Sequence, residues 1–406
     1  NINLCKKPPQ ELIDHWELKK FTYNNFIPSV DEVWSDLKVS EIDSAQRNTP
    51  NELFKKGVDR LGLSGGPLFH NRVGCYQSGF CELGCSFNAK MNALRVYIPK
   101  VVDKGGTILS ETRAQKFHHS NKKLTHLTCE VFNADNKKVS TQTIRANTFI
   151  SAAGAIESPL LLQRSSILDP YKQVGKNLRL HPGVVALGIF EQNVNCWQGI
   201  PQSYECDEFL KFSKDPNVNR VWLITSSAHP IGASSIVPGF GKSHQNMMKK
   251  YPHIVPVTPM IHDFSAGEVS SSIGGGVDIN YSLIKSDRVQ LALGLKEASK
   301  ILLAAGAKKV IIPTRNPIEI KSFNEVTKAD FSVINWDIDM VAVHPMGSLS
   351  MGDEPATSAI NQDLRYHHLD NLFISDASVY PTSLGIPPQI STYAIGNYLG
   401  DRLKEI

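Results

Sequence analysis

The segment from residue 336 to the C terminus constrains the fold more than any other part of the chain. An apolar stretch at 340–343 predicts a strand, and His344 follows it in a loop of Pro, Met, Gly and Ser. A second strand is predicted at 372–375 and ends at Asp376, and a double proline at 387–388 begins a final helix. This order places an imidazole and the partial positive charge of a helix N terminus at one end of a sheet. Such a site suits a cofactor that develops negative charge.

A second strand–turn–helix unit is predicted at residues 148–165, TFISAAGAIESPLLLQRS. Gly154 ends the strand, Ser158 can cap the helix, and Pro159 can occupy the first helical position. This unit is typical of doubly wound α/β sheets. The elements predicted upstream are a helix at 92–103 and strands at 107–109, 124–132 and 141–150.

The middle of the chain has a different pattern. Residues 181–285 alternate apolar and polar side chains between turn residues, which predicts antiparallel sheet. Asp287 can cap a helix over 289–305, and a strand is predicted at 308–313. Together with the strand–turn–helix units, this pattern predicts a mixed fold class, α/β plus α+β. The apolar side chains at helical spacing predict the core-facing stripe of the 289–305 helix: Leu291, Leu295, Ala298, Leu302 and Ala305.

Composition narrows the function classes. The 406 residues suffice for two or three domains, and the net charge of +4 is too small and dispersed to indicate nucleic-acid binding or an anionic membrane. No apolar run reaches the roughly 18 residues that a membrane span needs. The seven cysteines are odd in number and sparse, so they do not predict a disulfide framework. They favour a reducing compartment, and the predicted location is the cytoplasm.

The motifs, taken in order, resemble the glucose–methanol–choline (GMC) oxidoreductases. The resemblance is carried by the loop after His344, by residues 148–165, by 174–182 (VGKNLRLHP) and by 384–389 (LGIPPQ). One family feature is missing, since no GxGxxG dinucleotide fingerprint occurs in the chain. The first residues resemble the family just beyond its Gly-Gly-Ser signature. The chain therefore resembles a GMC protein without its N-terminal part.

The resemblance implies a discontinuous architecture. It implies an FAD-binding-type α/β domain formed by residues 95–180 and 336–406, and an antiparallel-sheet substrate domain at 181–335. Residues 1–94 would form an irregular, partly helical cap that includes a cysteine-containing loop.

The resemblance also implies a set of site residues. His344 matches the family's catalytic histidine, and its near-neutral pKa suits a base that takes the proton of an alcohol. Pro387 departs from the family, which usually places His or Asn there to bond the substrate hydroxyl. The positions that match FAD-contacting residues are Ala114 beside adenine, Ala153 and Gly154 near the ADP moiety, Asp376 and Ala377 near the ribityl-diphosphate, and Pro388, Gln389 and Ile390 near the flavin pyrimidine.

Simpler roles remain open for several of these residues. Asp376 can equally be a cap at the end of its strand. Small residues such as Ala153 and Gly154 are also what any tight strand-to-helix turn requires. His344 can be a buried structural histidine, although its loop setting and its match to the family favour a functional role.

Three cysteines lie in one Gly-rich loop, at Cys75, Cys81 and Cys85. Their spacing has the character of metal or cluster ligands, and some dehydrogenases of the family carry an iron–sulfur cluster on a similar loop. Other members keep such a loop without a known cluster. We therefore expect the three thiols to lie close together, and we favour metal-free thiols over an iron–sulfur cluster.

Two functions follow as hypotheses. In the first, the chain is part of a flavin-dependent oxidoreductase that oxidises the CH–OH group of a small-molecule alcohol by hydride transfer to FAD, with His344 as the general base. Its partners would include a separate N-terminal FAD-binding segment or an electron-acceptor subunit. In the second, the chain is a non-catalytic GMC-derived subunit or fragment that does not bind FAD by itself.

Overall fold

The computed structural model describes residues 4–272, 274–332 and 338–405. The predicted domain boundary at 335/336 and both chain ends lie outside the described residues. In this part of the chain the helices are α1 (Gln10–Asp14), α2 (Tyr23–Asp36), α3 (Thr49–Arg60), α4 (Ala93–Asp103), α5 (Gly154–Arg164), α6 (Pro230–Ala233), α7 (Lys242–Met248), α8 (Lys285–Ala305), α9 (Phe323–Lys328) and α10 (Gln389–Leu403). The strands are β1 (Leu4–Cys5), β2 (Val39–Glu41), β3 (Gly65–Pro67), β4 (Phe69–Asn71), β5 (Thr112–Ser120), β6 (Lys123–Phe132), β7 (Lys138–Ile144), β8 (Phe149–Ser151), β9 (Lys176–Leu178), β10 (Ala186–Ile189), β11 (Tyr204–Cys206), β12 (Val221–Thr225), β13 (Ile254–Ile261), β14 (Gly267–Ser271), β15 (Val277–Asn280), β16 (Lys309–Ile312), β17 (Ile318–Ile320) and β18 (Leu372–Ile374).

A seven-stranded antiparallel sheet has the order β17-β16-β10-β13-β12-β11-β3, with six strands from the middle of the chain and the edge strand β3 from the first 94 residues. The long helix α8 packs on this sheet, and the predicted apolar stripe from Leu291 to Ala305 is buried. Helix α3 crosses α8 closely, because a Cβ at Gly57 would lie 2.2 Å from the carbonyl oxygen of Ile301. The prediction of an antiparallel sheet with this helix packed on it is confirmed.

The α/β layer contains a short parallel pair, β8 with β18. Phe149 is aligned with Leu372 and Ser151 with Ile374, so residues far apart in sequence share one sheet. Helix α5 follows β8, and α10 lies after β18 in the chain. A separate antiparallel sheet, β5-β6-β7, precedes β8. The prediction that the two flanking segments share an α/β layer is thereby confirmed.

Helix α5 begins earlier than the sequence predicts. Its first residue is Gly154, so Ser158 and Pro159 lie inside the helix and the predicted cap at Ser158 is wrong. Pro159 has no N–H for the carbonyl of Ala155, four residues earlier. The Ser348 hydroxyl donates to that carbonyl instead, at 2.5 Å. A side chain of the loop after His344 therefore completes the hydrogen bonding of α5.

Other local predictions also need correction. The strand predicted at 141–150 divides into β7 and β8, and the described residues 107–109 form no strand. The apolar stretch at 340–343 is irregular, with a single bridge from Val341 to Gly183. Met340, Val341 and Val343 are 43–63% exposed, so among the described residues no apolar surface covers this stretch. Asp287 lies within α8 and does not cap it.

Helix α10 anchors the other main core cluster. Phe21 and Phe26 pack with Tyr398 of α10, with ring centroids 4.8–6.2 Å apart. Among the residues that the structure describes, no helix combines the length and the apolar character that crossing a membrane requires.

Candidate active site

His344 is paired with a second histidine, His181. Their Nδ1 atoms lie 3.0 Å apart, and the two rings stack with centroids 5.1 Å apart and an interplanar angle of 25°. His181 is fully buried, whereas His344 is half-buried. The pair joins two distant parts of the sequence at one point, which makes it the centre of the candidate site.

His181 is held on both its backbone and its ring. The Asp263 carboxylate accepts hydrogen bonds from the backbone N–H groups of Leu180 and His181, at 3.2 and 3.0 Å. These bonds fix His181 in the left-handed region, with φ +50, which non-glycine residues seldom adopt. The His181 ring also stacks with Trp222, with centroids 6.4 Å apart and an interplanar angle of 25°. The orientation of the His181 ring is therefore strongly restricted.

The Trp222 ring has a fixed polar partner of its own. Its Nε1–H donates to the buried carboxylate of Glu205. Lys6 pairs with the same carboxylate at 2.5 Å. Burial raises the pKa of Glu205, and the Lys6 charge opposes that rise. A chain of contacts therefore runs from the Lys6 ammonium through Glu205 and Trp222 to the histidine pair.

Burial sets the protonation of the pair. It lowers the pKa of His344 to about 4 and that of His181 well below 6.5, with a smaller contribution to His181 from the neighbouring imidazoles. At neutral pH both rings are uncharged. A neutral imidazole keeps one nitrogen lone pair, so it can accept a proton.

The loop after His344 is bonded to both predicted cofactor segments. Met346 forms a bridge with Arg179, and the Gly347 N–H donates to the Ala377 carbonyl at 3.0 Å. The Leu384 N–H donates to the Met346 sulfur at 3.3 Å, in the turn that leads to α10. The structure therefore brings the His344 loop, the 376–377 turn and the approach to α10 together.

Asp376 joins the ends of the two parallel strands. Its Oδ2 accepts from the Gly154 N–H at 2.9 Å and from the Ser158 hydroxyl at 2.5 Å, while Oδ1 accepts from the Ser378 N–H at 2.8 Å. Ala153 contributes its N–H to the same cluster, donating to Ser158 Oγ at 3.1 Å. The predicted positions 153, 154 and 376 thus meet, and the contacts of Asp376 are those of a buried cap.

The N terminus of α10 has no side-chain cap. Pro388 occupies the cap position, Pro387 before it is buried, and Ile390 is fully buried. The Gln389 amide turns toward β4 and donates to Asn71 Oδ1 at 3.2 Å. The leading backbone N–H groups of a helix lack intrahelical partners, so this end carries partial positive charge.

Ala114 lies on a different sheet. It pairs with Cys129 between β5 and β6, next to a register shift, and its small side chain is partly buried. Among the described residues Ala114 makes no hydrogen bond to the His344 cluster, so its predicted adenine contact stays a prediction.

The cysteine loop carries free thiols. Arg72 interacts electrostatically with Cys75 and Cys81, and Cys81 with both other thiols, so the loop groups these side chains. Burial raises the pKa of Cys81. The pKa of Cys85 is lowered because backbone N–H groups outweigh its burial. Across residues 4–272, 274–332 and 338–405 no three His, Cys, Asp or Glu side chains are arranged to hold a metal ion. The structure gives no support to an iron–sulfur cluster at Cys75, Cys81 and Cys85.

Several residues of the site carry no local sequence signal. His181 lies in the VGKNLRLHP segment, whose resemblance to the family was the one available pointer to it. Asp263, Ser158 and Ser348 act through partners more than 80 residues away in sequence, and no periodicity encodes such pairs.

Comparison with known proteins identifies the family. The family profile described as GMC oxidoreductase matches residues 1–183 with its N-terminal part and 268–396 with its C-terminal part. A long-chain-alcohol oxidase of Arabidopsis thaliana is 26% identical over 442 residues, covering 100% of this chain and 57% of the relative. An uncharacterized GMC-type oxidoreductase of Mycobacterium tuberculosis is 25% identical over 374 residues, covering 92% of the chain and 57% of the relative. The chain thus spans little more than half the length of these relatives.

Solved structures share the fold. A pyridoxine 4-oxidase from Mesorbium loti matches with a TM-score of 0.74 at 16% identity, over 100% of this chain and 82% of that protein. A variant of formate oxidase from Aspergillus oryzae matches with a TM-score of 0.71 at 14% identity, over 100% and 82%. The two family matches together cover most of the sequence, and the chain belongs to the GMC oxidoreductase family.

Proposed function

We propose that this chain carries the substrate-side catalytic residues of a flavin-dependent oxidoreductase that oxidises the CH–OH group of a small-molecule alcohol, with His344 as the general base. The observation that carries the proposal is the contact between the half-buried His344 and the buried His181, beside the loop that leads to Asp376. Two similar relatives are named long-chain-alcohol oxidases, which supports an alcohol as the substrate class.

The chemistry assigned to His344 follows from its protonation. A neutral imidazole can take the hydroxyl proton of an alcohol while the hydride leaves the adjacent carbon. Because burial lowers the pKa of His344 to about 4, the base remains unprotonated well below neutral pH. The 346–349 backbone bonds to Arg179, Ala377 and Ser378 hold the loop in place, so the imidazole position is defined before substrate binds.

The residues present fit FAD, which when bound would supply the group that accepts the hydride. No described atom lies within 4 Å of a Cβ added at Gly154, and its φ is +85, so the start of α5 leaves room for close backbone approach. The uncapped start of α10 adds partial positive charge. We assign the ADP side to Ala114, Ala153 and Gly154, the ribityl-diphosphate side to Asp376 and Ala377, and the pyrimidine side to Pro388, Gln389 and Ile390.

Asp376 would act mainly by holding its turn. Its oxygens already accept hydrogen bonds from Gly154, Ser158 and Ser378. A carboxylate so engaged fixes the backbone of Ala377, whose N–H we assign to the cofactor side while its carbonyl accepts from Gly347.

We further propose that a segment bearing the glycine-rich diphosphate loop completes the α/β layer. In the described residues β8 pairs with β18 on one side, and Ile150 at its centre is 48% exposed. Parallel sheets are normally covered on both faces, and an unpaired strand edge can pair with a further strand. A strand from this segment, whether in the same polypeptide or a separate one, would pair with the free edge of β8.

The alternative function is a non-catalytic subunit or fragment. It draws on Pro387, a buried proline at the position where the family usually has His or Asn, since proline offers a substrate hydroxyl no side-chain polar group. Under this alternative the chain folds and does not bind FAD by itself.

Flavin content and turnover separate the two functions. The protein is expressed alone and together with a relative's glycine-rich segment, and flavin absorbance and alcohol-dependent turnover are measured. In the flavin-bound protein, His344→Ala should keep the flavin and lower kcat by about 10²–10⁴, the range for one general base. A folded, colourless protein in both preparations would favour the alternative. Unaltered turnover in His344→Ala would place the base elsewhere.

A further inference from the structure

We infer that His181 is the positioning residue of His344. It accepts the hydrogen of His344 Nδ1 and thereby leaves the Nε2 lone pair of His344 free to take a proton. This inference rests on the proposed function, because it assigns a partner to the proposed base. The position of the His344 ring hydrogen can be measured without measuring turnover.

The contact distance restricts the hydrogens of the pair. A neutral imidazole carries one ring hydrogen, on either Nδ1 or Nε2. The two Nδ1 atoms are 3.0 Å apart, a hydrogen-bond distance, so one hydrogen lies between them. Two hydrogens there would clash, and none would oppose two lone pairs. The pair therefore has two arrangements, which differ in which ring donates.

The two arrangements have opposite chemical consequences. If His344 Nδ1–H donates, His344 Nε2 is an unprotonated base. If His181 Nδ1–H donates, the hydrogen of His344 is on Nε2, and that nitrogen cannot accept a proton. The identity of the acceptor thus decides whether His344 works as a base, in the way that a hydrogen bond to one ring nitrogen generally fixes the role of the other.

His181 is suited to a fixed acceptor role. Its backbone N–H donates to Asp263, and its ring stacks with both His344 and Trp222. No carboxylate among the described residues is hydrogen-bonded to either imidazole, so a neutral acceptor takes the place that an acidic side chain often fills. When His344 takes a proton at Nε2, its Nδ1–H bond to His181 becomes charge-assisted and strengthens.

The same arrangement places a hydrogen on His181 Nε2. That nitrogen is buried and has no hydrogen-bond partner among the described side chains and backbone groups. It is an unsatisfied donor beside the proposed base, and an oxygen atom entering the site would satisfy it. In this arrangement the His181 Nε2–H donates to an oxygen atom of a molecule bound in the site.

The position of the hydrogen can be measured directly. With histidine labelled by ¹⁵N in the full chain, long-range ¹H–¹⁵N correlation spectra distinguish the two tautomers of each ring, and His344→Gln and His181→Asn identify the signals. We expect the His344 hydrogen on Nδ1 in the wild type at pH 7. A His344 hydrogen on Nε2 would overturn the proposal, while leaving the flavin assay to judge the base role itself.

Two substitutions at 181 separate positioning from packing. His181→Asn keeps an acceptor oxygen near the Nδ1 position, and Asn tolerates the positive φ of this residue. His181→Ala removes the acceptor. We expect the His344 tautomer to be kept in His181→Asn and lost in His181→Ala. In the flavin-bound enzyme His181→Ala should lower kcat roughly tenfold at unchanged KM, the effect of one neutral hydrogen bond, with substantial recovery in His181→Asn.

His70→Asn is the matched control, because His70 is also fully buried and its Nε2 contacts the Gln202 carbonyl at 3.0 Å. It should lower thermal stability without changing the His344 tautomer. If His181→Ala and His181→Asn lose activity equally while the His344 tautomer stays unchanged, His181 is a packing residue and the inference fails. If His344→Ala retains full turnover and the wild type has the expected tautomer, the proposed base role of His344 fails and the hydrogen assignment stands.

Discussion

The seven-stranded sheet and the parallel pair β8–β18 differ in how much of their surface this chain covers. In β13, seven of eight residues are buried, and the apolar stripe of α8 closes one face of the sheet. In β8 the central Ile150 is 48% exposed, and α4 buries Val96 while Leu94 is 70% exposed. The seven-stranded sheet and the helices packed on it, α3 and α8, bury their apolar side chains against one another. Within the described residues, the parallel pair and α4 leave apolar side chains exposed to solvent.

The largest effect on the free energy of unfolding is expected where α8 packs on the seven-stranded sheet. Arg220 and Asp287 form a buried ion pair at 2.7 Å, with side chains 1% and 0% exposed. Asp287→Ala leaves the Arg220 charge buried without its partner, so the free energy of unfolding should fall by about 3–5 kcal/mol. Urea denaturation measures this. The control is Glu268→Ala, which breaks an exposed pair with Lys176 and should change stability by less than about 1 kcal/mol. Equal effects of the two substitutions would mean that the Arg220–Asp287 pair is not shielded from water.

The His344–His181 pair should make the free energy of unfolding depend on pH. Burial lowers the folded-state pKa of His344 to about 4, below the ordinary 6.5. Between these values the unfolded chain binds more protons, so the stability rises with pH across that window and falls as pH decreases through it. For His344 the fall is roughly 3 kcal/mol at most. His344→Gln should flatten the curve between pH 6.5 and 4 in urea titrations. An unchanged curve would mean that the pair is open to water.

The junction of the parallel strands should show an intermediate effect. Asp376→Ala removes the acceptor of the Gly154 and Ser378 N–H groups in a buried turn, and the free energy of unfolding should fall by about 2–3 kcal/mol. Asp376 caps the 3₁₀ turn Ala377–Val379, and Asp43 caps a similar turn, Ser44–Gln46, by accepting from the Ala45 N–H. The Asp43 side chain is exposed. Asp43→Ala should have an effect of about 1 kcal/mol or less. Thermal unfolding of both variants tests the difference.

The smallest effect is expected at the open strand. Ile150→Ala removes little buried surface in this chain, so stability should change by less than about 1 kcal/mol. Ile311→Ala, at a 1% exposed position in β16, should lower the free energy of unfolding by about 2–5 kcal/mol. If the glycine-rich segment pairs with β8, adding it should raise the effect of Ile150→Ala. A large effect in the chain alone would show that β8 is already covered.

Local sequence patterns predict the parts of the fold that depend on local periodicity. Helix α4 and strand β6 lie within one residue of their predicted limits, and the stripe of α8 is buried as expected. The stretch at 340–343 was misleading because an apolar run identifies a strand only when a neighbouring strand pairs with it. The start of α5 was misplaced because Ser158 and Pro159 have partners in the loop and turn near residues 348 and 376.

The sequence predicted which residues belong to the candidate site better than it predicted which of them are in contact. The order of motifs indicated His344, Gly154 and Asp376, and the structure brings the last two within hydrogen-bond distance. The partner of His344 is 163 residues away in sequence, and it is held by a carboxylate from a third segment. Such contacts arise from tertiary packing, which no local pattern encodes.

The bond between Ser348 and the Ala155 carbonyl has a consequence for how this protein can vary. The proline at 159 creates the need for an outside donor, and the hydroxyl at 348 meets it. Replacing Pro159 by alanine returns a backbone donor to that carbonyl, after which Ser348 is no longer required there. Loss of the hydroxyl alone leaves a buried acceptor unsatisfied. The two positions are therefore free to change in one order only, first the proline and then the serine.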